Sequence, residues 1–312
     1  MMKREEKQRL LRQRRQLLTA AGILAVVLCV MLVVLLLPGG PQDPTLNNGP
    51  TQPPAPTQTT GEPTEPSQTR PSEPEPTQTE PTEPTLTYPP DATPEQMLEA
   101  FMDFYDLTTD DYPPVVLEAF AHSRENINYL LTFPMESKKE HQVDLSGYDL
   151  TGSVPLFIQW DPMWGYETYA GNYAGLAACG PVCTSMVACY LTGDAKYDPV
   201  FMMRYAQDNG YCADRQGTYW SFFTQGMVKL GFMVKELYLT ENKLISTLNE
   251  GKLIICSMGP GHFTSAGHFI VITGYEDGYF TVNDPNSYLN SQRKWAYDEF
   301  SDQIKNLWSI GL

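Results

Sequence analysis

The sequence predicts an α+β fold carried by the part of the chain from Thr93 onward. Several segments between Thr93 and Gly251 repeat apolar residues at helical spacing, whereas "KLIICSM", "HFIVITGY" and "YFTVND" near the C-terminus are β-branched and aromatic runs of strand length. The last two runs meet through Glu276, Asp277 and Gly278, a turn signal for an antiparallel hairpin. Helices first and a mostly antiparallel sheet after them is an α+β layout.

The N-terminal third has a different texture. Of the 26 prolines, 17 fall between Pro38 and Pro94, so the foldable part is much shorter than the 312 residues. Residues 1–16 form a basic tail with Lys3, Arg4, Lys7, Arg9, Arg12, Arg14 and Arg15 against Glu5 and Glu6. Residues 17–37, "LLTAAGILAVVLCVMLVVLLL", carry no charge and reach the roughly 20 residues that span a bilayer, so a transmembrane helix is expected there. The preceding basic cluster predicts a cytoplasmic N-terminus, with the remainder of the chain outside the cell. A cleaved signal peptide is the rival, but its apolar region is shorter and ends in small residues, unlike "LLLPGG". Residues 38–92 are rich in Pro, Thr, Glu, Gln and Ser. Such a segment buries too little apolar area to offset its ordering entropy and is expected to be a disordered, semi-stiff linker.

The net charge is -16, and beyond residue 16 the chain holds 14 Lys+Arg against 35 Asp+Glu. No basic footprint exists for phosphates, so nucleic acid is excluded as a partner. Of six cysteines, Cys29 lies in the expected span; Cys179, Cys183, Cys189, Cys212 and Cys256 are odd in number, so at least one is free or pairs between chains. No CxxC occurs and only four histidines are present, which argues against structural zinc. No metal or organic cofactor is expected.

Residues 93–150 read as a helical lead-in. In "TPEQMLEAFMDFYD", Thr93 is an N-cap, Pro94 takes the first helical position and Gln96 completes a capping box. "YPPVVLEAF" and "RENINYLLTFP" predict two more short helices. Residues 151–312 form the expected second folded unit, the α+β domain. "VPLFIQWD" reads as a short strand. The segment after Cys179 reads as a helix with Cys183, Met186, Val187, Tyr190 and Leu191 on one side and Gly193 at its stop. "TYWSFFTQGMVKLG" reads as a helix capped by Thr218 and ended by Gly231, and "ENKLISTLNEG" as another.

Cys179 lies in "LAACGPVCTSM", at a helix N-terminus, where the partial positive charge favours a thiolate. Gly180 has no side chain, so a substrate backbone has room to approach. On this local context a nucleophile and a simple buried thiol are equally good readings. A nucleophilic thiol needs a base and the base an orienting group. His268 opens a firmly held strand, whereas His262 sits in the glycine-rich loop "GPGHFTSAG", so His268 is preferred. Folding the hairpin brings position 284 nearly opposite 268. Asp284 is the expected orienter, with Asn283 as runner-up. Gln159, upstream of the thiol, is a candidate oxyanion donor alongside the Cys179 N–H. Trp160 and Trp164 read as packing residues, as do Tyr219 and Trp220, for which lining a substrate cleft is the lesser alternative; Cys183 reads as core, with a redox partner of Cys179 as the lesser alternative.

Together, "VPLFIQWDPMWG", "ACGPVCTSMV", "GTYW", "IICSMGPGHFTSAGHFIVITGY" and "VNDPNS" resemble, in that order, the family thirty-nine-like cysteine peptidases of bacteria, relatives of the bacteriocin-processing leader peptidases. The resemblance covers roughly Gly152 to Leu312 and implies a papain-like fold. It implies Cys179 as nucleophile, His268 as general base and acid, Asp284 as orienter and Gln159 as oxyanion donor. "ACGP" carries Ala178 where relatives often have glycine. The leader-peptide substrate of the transporter-fused relatives is not carried over, since this chain has no GxxxxGK[ST] motif and its domain is expected outside. The expectation is thus a membrane-anchored extracellular cysteine peptidase acting on a peptide or protein. The alternatives are an amidase or endopeptidase on cell-wall peptides using the same residues, and a non-catalytic surface-binding module on the same fold.

Overall fold

The computed structural model describes residues 86–122 and 125–312. The expected basic tail, membrane span and most of the linker lie outside these residues. Among the described residues no helix is long and apolar enough to cross a membrane.

The lead-in is helical. Helix α1, Pro94–Tyr105, starts with both bonds of the capping box between Thr93 and Gln96. Helices α2, Pro114–Ala119, and α3, Ile127–Glu136, follow. Phe101, Val116, Phe120, Tyr129, Leu130 and Phe133 bury together as their core. Tyr129 ties this core to the following segment: its hydroxyl donates to Gly165 O at 2.8 Å. A Cβ on Gly175 would lie 2.4 Å from the Tyr129 ring, so only glycine admits this approach.

The expected strand over "VPLFIQWD" does not form. Residues 154–158 carry no helix or strand and pair with no strand. The Asn283 side-chain amide instead donates to the carbonyls of Val154 and Pro155 at 3.2 and 3.0 Å. A small hairpin follows, β1 (Thr168–Tyr169) with β2 (Asn172–Tyr173), then the single turn α4, Ala174–Ala177.

Helix α5, Cys179–Thr192, ends at Gly193 in the left-handed region, as its sequence signals. The expected one-sided apolar face is wrong, because Gly180 to Cys189 are all buried. A helix apolar on every side belongs inside a core. Helix α6, Pro199–Asp208, packs beside it, and the short strands β3 (Cys212–Ala213) and β4 (Gly217–Thr218) pair next. The helix expected from Thr218 begins later. Thr218 is in β4, and a π-turn over Phe222–Gly226 runs into α7, Met227–Lys229. The Thr218 hydroxyl bonds the Tyr169 hydroxyl at 2.8 Å instead of capping a helix.

The remaining elements are β5 (Met233–Glu236), α8 (Glu241–Asn249), β6 (Leu253–Met258), β7 (His268–Glu276), β8 (Tyr279–Asn283), α9 (Tyr288–Gln292), β9 (Lys294–Trp295), α10 (Tyr297–Phe300) and β10 (Ile304–Gly311). They build a six-stranded sheet of order β5-β10-β6-β7-β8-β9 in which every pairing is antiparallel. The fold is therefore mixed helix and antiparallel sheet. The β7–β8 turn has Asp277 and Gly278 at φ 53° and 86°, the left-handed pair a two-residue hairpin wants. The sequence reading assigns no element to β10, yet it lies between β5 and β6 with Trp308 and Ile310 fully buried.

Both faces of the sheet are covered. Ile255, Phe269, Val271 and Trp308 pack with Val182 and Met186 of α5. Ile254, Ile270, Ile272 and Phe280 pack with Leu244 of α8. This two-sided burial explains why "KLIICSM" is continuously apolar and does not alternate.

Candidate active site

Cys179 is the first residue of α5 and is only half-buried, and no side chain caps the helix at Ala178. The reason for the adjoining glycine differs from the sequence expectation. A Cβ on Gly180 would lie 2.5 Å from Thr218 Oγ1 and 2.7 Å from Thr218 Cβ. That space is filled by the protein and not left for a substrate. Thr218 and the Tyr169 hydroxyl it bonds thus form a buried wall behind the thiol-bearing turn.

His268, the first residue of β7, is buried. Its Nε2 lies 2.7 Å from Asp284 Oδ1. The pairing of Val271 with Asn283, continued along the ladder, sets Ile270 and not His268 across from Asp284. The two residues are diagonal neighbours, one pleat off the expected opposition, and a histidine side chain spans that diagonal. With Nε2 on the carboxylate, Nδ1 is the ring atom left free, and the Cys179 thiol is near enough to the ring to act on its charge. Burial works against charge on this imidazole. The Asp284 carboxylate beside it, with a smaller contribution from Cys179, outweighs that and raises the pKa of His268 to about 10.

Asp284 is fully buried, directly after β8, and its carboxylate is well satisfied. Oδ1 also accepts from the Asn286 N–H at 2.8 Å, and Oδ2 accepts from Asn290 Nδ2 at 2.8 Å. Asn283, the alternative orienter, faces elsewhere, onto Val154 and Pro155.

Gln159 is buried within the same region. Its backbone N–H donates to Pro285 O at 2.7 Å, and its Nε2 to Gly175 O at 3.0 Å. Both partners flank the trio in sequence, Pro285 next to Asp284 and Gly175 four residues before Cys179. Its Oε1 is buried without a hydrogen-bond partner. The structure thus brings Cys179, His268 and Asp284 into one contact chain, with Gln159 anchored to the backbone on two sides of it.

His262 is apart from this chain. Its N–H is held by Gln303 Oε1 at 2.7 Å and its ring lies against Trp295. All five cysteines among the described residues are free. Cys183 is fully buried, and burial pushes its thiol far above the usual range, which fits its reading as core. Trp164 is core, its Nε1–H donating to Ile158 O at 2.8 Å. Tyr219 and Trp220 are not core: they are exposed, directly after the Thr218 wall, with Trp220 edge-on to buried Trp308. The sequence reading missed Asn290, because "NSYLNSQ" reads as an ordinary polar turn until the fold sets it under Asp284. Among the described residues no group of three or more His, Cys, Asp or Glu side chains is arranged to hold a metal ion.

No curated protein matches the chain. Among solved structures, the chain is similar to the peptidase domain of Streptococcus ComA, a bifunctional ABC transporter involved in a quorum-sensing pathway. That likeness has 17% identity and a TM-score of 0.36, over 44% of this chain and 92% of the other. It is also similar to a C39-like peptidase from Bacillus anthracis at 14% identity and a TM-score of 0.37, over 51% of this chain and 94% of the other. Residues 167–310, from the residue before β1 into the last strand of the sheet, match the Peptidase_C39 like family.

Proposed function

We propose that the chain is a cysteine peptidase in which Cys179 is the nucleophile, His268 the general acid and base, and Asp284 the residue that orients the imidazole. The observation that carries the reading is the 2.7 Å contact of His268 Nε2 with Asp284 on one side of a ring whose other side meets a half-exposed thiol. The match of residues 167–310 to a peptidase family supports a peptide or protein substrate.

In this reading the Cys179 sulfur attacks a peptide carbonyl, and an imidazolium beside it stabilises negative charge on the sulfur. His268 then gives a proton through Nδ1 to the leaving amine. As a neutral base it takes one from the water that releases the acyl-enzyme. Gln159 gives one N–H to Gly175, and a primary amide has a second, which serves the oxyanion together with the Cys179 N–H. Exposed Tyr219 and Trp220 offer an aromatic rim for the substrate chain. The uncharged stretch 17–37 after a basic tail supports a membrane anchor with the peptidase outside the cell, where wall peptides and secreted proteins are the available substrates.

The test is cleavage of a mixed peptide library, including wall-type cross-linked peptides, together with iodoacetamide labelling. Cleavage by the wild type, lost in Cys179→Ser and His268→Ala, is expected. A chain that cleaves nothing, and whose Cys179 labels no faster than its other thiols, would sink the reading.

A further inference from the structure

We infer that Asn290 and Glu125 are positioning residues that hold the Asp284 carboxylate against His268, so that the lead-in segment completes the site. This rests on the peptidase reading above. Asp284 Oδ1 is shared by His268 and the Asn286 N–H, and a carboxylate held at one oxygen alone can swing. Asn290 Nδ2 fixes the other oxygen at 2.8 Å. Asn290 belongs to α9, whose five residues are too few to be stable by themselves.

What fixes α9 comes from far away in the chain. Ser287 caps it, its Oγ accepting from the Asn290 N–H at 3.0 Å. Ser291 Oγ accepts from the Asp284 N–H at 2.9 Å and donates to Ser287 O at 2.7 Å. The Ser287 hydroxyl in turn donates to the Glu125 carboxylate, and the Leu289 N–H donates to Glu125 Oε2 at 3.1 Å. A carboxylate at the first turn of a helix also suits its dipole. Glu125 is 162 residues before Ser287 and lies before the family-matched stretch. The chain of contacts therefore runs from Glu125 through Ser287 and α9 to Asn290, Asp284 and His268.

The charged and titratable groups around this path are few. Asp284 and Cys179 face His268, and Cys183 approaches Asp284. Tyr288, on α9, faces Glu125 and Asp161. If the path positions the carboxylate, breaking it weakens the support for the imidazolium and moves the pH profile of the neighbouring thiol. A purely structural role would leave that profile in place.

The experiment is the rate of Cys179 alkylation by iodoacetamide against pH in the full chain. It compares wild type, His268→Ala, Asn290→Leu, Glu125→Gln and Glu125→Asp. Mass spectrometry scores only molecules whose buried Cys183 and Cys256 stay unlabelled, so unfolded molecules drop out. In Asn290→Leu and Glu125→Gln the labelling midpoint should rise by about half to one pH unit, in the direction of His268→Ala. Glu125→Asp, which keeps the carboxylate, should recover part of the shift. Turnover of a cleaved peptide should fall about tenfold in kcat with KM within about twofold. A wild-type profile in Asn290→Leu and Glu125→Gln, with a displaced one in His268→Ala, overturns the inference and leaves the peptidase reading standing. A profile indifferent to His268→Ala brings down the reading and this inference with it.

Discussion

Gly180→Ala tests the account given for the residue after Cys179. A new Cβ would sit 2.5 Å from Thr218 Oγ1, 2.7 Å from its Cβ and 2.8 Å from its Cγ2, about 1 Å inside ordinary contact with three atoms. Thr218 is buried and its hydroxyl is bonded to Tyr169, so it cannot turn aside without losing that bond. Overpacking of this kind costs about 1–3 kcal/mol. Loss of the hydroxyl pair adds about 1 kcal/mol. The total, about 2–4 kcal/mol, lowers the melting temperature of a domain this size by roughly 5–15 °C. Thermal unfolding followed by tryptophan fluorescence on Gly180→Ala, Thr218→Ala and the double variant measures it. In the Thr218→Ala background Oγ1 and Cγ2 are gone, so the glycine substitution should cost at least about 1 kcal/mol less there. Equal costs in the two backgrounds would refute the wall and return the position to a role in admitting substrate.

His268 makes stability depend on pH. Its pKa in the folded chain is raised above the usual 6.5 to about 10. Its contribution is therefore complete below about pH 6.5 and is lost as pH rises through about 10. The stability gap between wild type and His268→Ala in urea should shrink steadily from pH 6 to pH 10; a constant gap would contradict the assignment. Asn283→Leu removes both amide bonds to the 154–155 segment, so it should destabilise by about 1–3 kcal/mol in urea unfolding. It should spare the His268–Asp284 contact, so the pH dependence of Cys179 labelling should not move. Among the described thiols, a disulfide reagent should reach half-exposed Cys179 rapidly and Cys183 and Cys256 only after denaturation. Early reaction of the buried pair would show the core packing to be misassigned.

Local signals carried much of this reading, and they worked where one stretch of chain decides its own conformation. The Thr93–Gln96 capping box, the Gly193 stop and the Asp277–Gly278 turn all appear in the structure as their residues demand. Cys179 at a helix start and His268 at a strand start were legible for the same reason. Where partners from elsewhere in the chain compete, local reasoning failed. "VPLFI" has strand composition, but an asparagine side chain takes its carbonyls and no ladder forms. Thr218 looks like a helix cap, but its hydroxyl is committed to Tyr169 and its bulk to Gly180.

The sequence by itself determined which residue types stand ready for chemistry and which short elements carry them, because capping, turn and periodicity preferences act within a few residues. Only the tertiary structure decided that Asp284 rather than Asn283 meets His268. It alone made Gly180 a packing requirement and brought Glu125 beneath the helix that bears Asn290. Those contacts join positions up to 164 residues apart, and strand register and close packing, which no local preference encodes, set their distances.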